Sequence, residues 1–130
     1  MEEKRTDLLA LLLRPELPNV QKELPTAEYR VKRLSEALGT DVVFKLRALP
    51  YGKVKSIRDS VAGDPGLDIL LAGCVEPDLK AKELKEKYGG ATPAETVKAM
   101  LLPGEIEDLS RAVERPCGFR RIPIDEVKNA

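Results

Sequence analysis

Ten prolines punctuate the 130 residues, and they set how long any helix can run. A proline inside a helix removes one backbone hydrogen bond and clashes with the preceding turn, so helices start just before it or stop at it. After Pro50 the prolines at 65, 77, 93, 103 and 116 cut the chain into short segments. Most of these carry helical rather than strand periodicity. Val54, Ile57 and Val61 fall at i, i+3, i+7, which makes one stripe ending at Gly63. Asp64-Pro65 reads as a cap followed by a first-turn proline. The apolar run from Gly66 to Val75, which contains Cys74, then predicts a buried central helix stopped by Pro77. Asp78 is placed to cap a lysine-rich helix over Leu79 to Tyr88, with Glu83 and Lys87 as an i,i+4 pair and Gly89-Gly90 as its stop. Thr92-Pro93-Ala94-Glu95 has the form of a capping box, and Val97, Met100 and Leu101 form the patch behind it. Pro103 opens a last helix striped by Ile106, Leu109 and Val113 and ended by Arg115-Pro116.

The longest proline-free stretch, between Pro25 and Pro50, has a different period. Tyr29 to Leu34 alternates until Arg33 breaks the pattern. Asp41 to Leu49 alternates more clearly, with Val42, Phe44, Leu46 and Ala48 on one parity and Val43, Lys45 and Arg47 on the other. Period two puts these sets on opposite faces of a sheet. Ser35 to Thr40, around Gly39, reads as the hairpin loop. The fold class is therefore α+β: an N-terminal β-hairpin followed by a bundle of about five short helices. A lone hairpin is marginal in water, so it must lie on the helices or pair with strands elsewhere.

Before the hairpin, Asp7 to Leu13 predicts a short apolar helix. Pro15, Pro18 and Pro25 follow it and predict an extended arm. The leucines are open to two readings: they pack on the chain's own core, or they dock on a partner or a second copy. Cys117 to Ala130 carries Phe119, Ile122, Ile124 and Val127 among charges and reads as a strand, a short helix or an arm. The divisions expected are 1–27 for anchor and arm, 28–119 for one domain, and 120–130 for the tail.

Composition removes several function classes. Lys and Arg number 22, as do Asp and Glu, and there is no His. A balanced charge argues against a protein held on nucleic acid by its net charge. Trp is absent and aromatics make up only 4%, which is poor material for base stacking. Two cysteines, Cys74 and Cys117, far apart and without His, supply neither a zinc finger nor a Cys-His or Ser-His pair. Neither glycine pair forms a phosphate loop. No catalytic residue, cofactor or metal is expected. The apolar run Leu8 to Leu13 is too short to span a bilayer, and its acidic approach and Arg14-Pro15-Glu16 exit do not fit a signal peptide. The expected location is the cytoplasm. Charge is nevertheless uneven. Glu28 to Arg58 holds eight basic and three acidic residues, while Glu76 to Glu114 holds six and nine. Arg30, Lys32, Lys45 and Arg47 are candidates for a shared basic face. That face would be merely solvated, or would meet an acidic partner, with nucleic acid the weaker alternative.

Several blocks together resemble the XkdN-like phage tail assembly chaperones. They are Lys87 to Thr92 with its Tyr-Gly core, Met100-Leu101-Leu102-Pro103-Gly104-Glu105, Val43 to Leu49, the apolar helix ending at Pro77-Asp78-Leu79, and Gly118-Phe119. The resemblance spans Tyr29 to Phe119. Where many members have a longer lysine-rich insertion, this chain has only Ala62 to Gly66. The resemblance implies a non-enzymatic chaperone that attends the long helical tape measure protein, with tail tube subunits as a second candidate, while a tail is built and is absent from the finished virion. Such a protein must cover exposed helical stripes reversibly. The candidate contacts are Leu8, Leu9 and Leu12, and the corner Met100, Leu101, Leu102, Pro103 and Gly104. The corner also reads as a core-filling turn. A self-associating adaptor, using the hairpin edge, is the alternative from another class.

Overall fold

Residues 2–60, 63–118, 124, 125 and 127 are described by a computed structural model. Helix α1 (Glu2–Leu12) is followed by strand β1 (Thr26–Arg30), helix α2 (Lys32–Leu38) and strand β2 (Val43–Arg47). Helices α3 (Tyr51–Asp59) and α4 (Pro65–Gly73), strand β3 (Cys74–Glu76), and helices α5 (Lys82–Tyr88), α6 (Pro93–Met100) and α7 (Pro103–Glu114) complete the order. A 3-10 turn, Arg115–Cys117, follows. The α+β class holds, with five helices after β2 among the described residues.

The sheet is antiparallel and ordered β1-β2-β3. Tyr29 faces Phe44 and Ala27 faces Leu46, so one parity forms the inner face; Phe44 and Leu46 are buried. The connection between β1 and β2 is a helix, not the expected loop. Leu34, Glu36, Ala37 and Leu38 favour helix, and Gly39 closes it in the left-handed conformation (φ 68°), donating to the Ser35 carbonyl. Ser35 ties the helix back to the sheet. Its hydroxyl donates to the Val31 carbonyl and accepts from the Val42 amide, both at 2.8 Å.

The core lies between the sheet's inner face and helices α4 and α7. Leu46, Leu67, Leu70, Val97 and Val113 are among its fully buried members. The central helix is where the apolar run predicted it, but it stops two residues earlier than expected. Cys74–Glu76 is a third strand pairing with β2. The switch occurs at Gly73, where α4 presses on α7. A Cβ there would lie 2.8 Å from Val113 Cγ2 and 3.0 Å from the Arg47 carbonyl. Helix α5 also starts later than expected. Asp78 caps no helix; it accepts from the Lys80 amide at 3.0 Å in a local turn, and Leu79 drops into the core. The ion pair on α5 is Lys82–Glu86. Thr92 caps α6 through the Glu95 amide, and the Glu95 carboxylate reaches back to the Ala91 amide. Val54 and Ile57 are buried as expected. Val61, Phe119 and Ile122 lie outside the described residues.

Candidate partner-binding site

Helix α1 does not pack on the core. Leu8, Leu9, Leu11 and Leu12 are all exposed, Leu9 at 62%, and Leu13 beyond the helix is 74% exposed. Of the two readings, self-packing is therefore set aside. Leu8, Leu11 and Leu12 stand at i, i+3, i+4 and share one side, with Leu9 beside them. They form a contiguous exposed apolar cluster, a kind of surface that single soluble domains rarely present. The arm that follows is a series of turns rather than extended chain. The Leu17 amide donates to the Arg14 carbonyl, and the Lys22 and Glu23 amides both donate to the Asn19 carbonyl. Leu17 and Val20 are exposed along it. The arm docks at Pro25, whose carbonyl accepts from the Ala48 amide at 2.8 Å.

The Met100 to Gly104 corner divides. Leu101 and Leu102 are consecutive extended residues between α6 and α7, so their side chains point opposite ways. Leu101 is 3% exposed and belongs to the core, while Leu102 is 53% exposed. Met100 is half-buried; Pro103 and Gly104 are exposed. Leu102, Pro103 and Gly104 are thus available to a partner, and Leu101 is not.

Arg33 holds this corner, and nothing in the sequence period pointed to it except its breaking of the strand alternation. From the first turn of α2 its guanidinium donates to both Glu105 carboxylate oxygens (Nε to Oε2 at 3.0 Å, Nη2 to Oε1 at 2.9 Å) and to the Met100 carbonyl at 3.0 Å. Glu105 Oε1 also accepts from the Leu102 amide at 2.7 Å. One arginine therefore fixes the end of α6, the start of α7 and the residues between them. The hydrogen bond and charge of Arg33 hold the Glu105 carboxyl below its ordinary range, and Glu105 in turn raises the Arg33 pKa.

The basic residues do not form one patch. Arg30, Lys45 and Arg47 share the sheet's outer face, but Lys32 is the first residue of α2. Lys45 stands in register between Glu28 on β1 and Glu76 on β3. Arg30 is bonded to Asp41 at 2.8 Å. The outer face is a mixed-charge surface rather than a purely basic one. No cluster of three metal-ligating side chains occurs among the described residues. None of the described helices is long and apolar enough to cross a membrane.

The helical half that carries the corner decides the relationship. The phage XkdN-like tail assembly chaperone protein family matches residues 66–130. The chain belongs to that family. Family membership supports a role in phage tail assembly. The fold agrees with that of a solved relative. The crystal structure of the protein yqbn matches with a TM-score of 0.61 and 24% identity, covering 83% of this chain and 94% of that one. At that identity the likeness speaks for the fold alone. No curated protein matches the chain.

Proposed function

We propose that this tail assembly chaperone binds the tape measure protein, with tail tube subunits as a second candidate partner, in the bacterial cytoplasm and without catalysis. The exposed leucines of α1 carry the reading. A soluble chain keeps such a cluster when its occupant comes and goes. Helical tail protein offers the matching chemistry, since an amphipathic helix can lay its apolar side against Leu8, Leu9 and Leu12. The exposed shoulder Leu102-Pro103-Gly104, held in shape by Arg33 and Glu105, is the second contact. The arm between α1 and β1 separates α1 from the sheet in sequence, which supports reading α1 as a contact of its own.

Co-purification of the tagged chain with tape measure protein from a co-expressing host tests this. Wild-type chain is expected to retain the partner. The double variant L9D/L12D is expected to lose it while keeping its helical circular dichroism, because both side chains already face water. L102D is the informative variant at the corner, since replacing Leu101 would damage the core. Full retention of the partner by both variants would remove these surfaces from the reading.

A further inference from the structure

The sheet is open at one edge, and the register shows which backbone groups face outward. The Pro25 carbonyl accepts from the Ala48 amide at 2.8 Å, and the Val31 amide donates to the Val42 carbonyl at 2.9 Å. Hydrogen-bonded pairs recur every second residue in an antiparallel ladder, so residues 25, 27, 29 and 31 face β2. The N–H and C=O groups of Thr26, Glu28 and Arg30 therefore point away from it. No strand among the described residues lies beyond β1. Next to this edge a groove of about 570 Å³, floored by Val31, Leu109 and Ala112, leaves the half-buried Tyr29 uncovered on one side. β1 contains no proline and no bulge that would guard it.

We propose that β1 pairs antiparallel with β1 of a second copy, about a two-fold axis at Tyr29. Self-complementarity selects this occupant and this register. Only the even-numbered residues offer outward hydrogen bonds, so even must meet even. A register centred on Glu28 sets Glu28 against Glu28, two like charges directly opposite. One centred on Ala27 leaves Glu28 facing Thr26 and Arg30 facing Leu24. The register centred on Tyr29 sets Glu28 against Arg30 of the second copy, twice by symmetry. Asp41 engages only Nε of Arg30, at 2.8 Å, which orients the guanidinium and leaves its two terminal nitrogens for that carboxylate. On the other face Tyr29 meets Tyr29 at the narrow, non-hydrogen-bonded position, where aromatic side chains pack closest. The two inner grooves then close over this pair, and two three-stranded sheets become one of six strands.

Sedimentation velocity of the full chain over a wide concentration range tests the pairing. The wild type is expected to pass from 14.4 kDa to twice that mass. E28R and R30E are each expected to weaken the dimer about tenfold or more, because each turns two attractive pairs into two repulsive ones. The equimolar mixture is expected to recover the wild-type dimer. E28R presents two arginines on this edge and R30E two glutamates, so only the mixed pair is complementary, and recovery also shows both variants folded. Three results would each overturn the proposal: a wild type that stays at 14.4 kDa throughout, a dimer indifferent to both charge reversals (as association through α1 would be), or a mixture no tighter than its components.

Discussion

Gly73 lets α4 and α7 touch. The usual argument for alanine in a helix is about 1 kcal/mol in its favour. Here the added methyl would overlap Val113 and crowd the Arg47 carbonyl, and overpacking a filled core costs about 1–3 kcal/mol. Overlap outweighs propensity, so G73A is expected to lower the urea midpoint. The consecutive leucines of the corner give a second comparison. L101A is expected to cost about 2–5 kcal/mol, as buried leucine truncations do, and L102A to stay within about 0.5 kcal/mol of wild type. Cys74 illustrates how burial governs reactivity. Loss of solvation, with the Asp78 charge adding to it, pushes its thiol up to about 12, and the sulfur donates to the Pro77 carbonyl at 3.3 Å. Alkylation at mildly alkaline pH, followed by peptide mass mapping, is expected to leave Cys74 largely unmodified until the chain is unfolded in urea.

The elements fall into those whose signals are local and those whose signals are not. Helix α6 is legible because Pro93, the capping Thr92 and the reaching Glu95 sit together at its start, and α7 because Pro103 and the reaching Glu105 do the same without a capping side chain. The apolar run likewise marks α4. What the run cannot show is its end, since Cys74 and Glu76 leave the helix to pair with β2, about thirty residues earlier in the chain. A strand of three residues, such as β3, offers too little alternation to be seen, and Val75 reads equally as helix or strand. Helix α2 is hidden for another reason. Gly39 serves a hairpin turn as readily as a helix cap, and Ser35 reveals its tie to Val31 and Val42 only once the sheet has formed. The candidate site was half legible. The apolar block of α1 stands out in the sequence, yet its exposure does not, because the same leucines would suit a core. Leu101 and Leu102 are chemically identical and differ only in which way an extended backbone turns them. Substituting both Leu9 and Leu12 by Asp is accordingly expected to leave the urea midpoint nearly unchanged, a result that self-packing of α1 would not allow.

Across the whole molecule, the Arg33–Glu105 pair links the sheet region to the helical half. Its pH dependence has a definite sign. Glu105 has a lowered pKa in the folded chain, so the stabilisation it provides is fully present above its unfolded value, about 4.3. It is lost as the pH falls through the lower, folded value. Urea unfolding of wild type and E105Q is expected to differ at neutral pH and to converge in strong acid. A constant gap would mean that the carboxylate does not titrate against Arg33. The bond also joins residues 72 positions apart. During synthesis the arginine leaves the ribosome long before its carboxylate, so the corner takes its final form only when most of the chain has emerged. A nascent chain thus carries its α1 leucines into the cell before the Leu102 shoulder is set, so the two proposed surfaces would become available in a fixed temporal order.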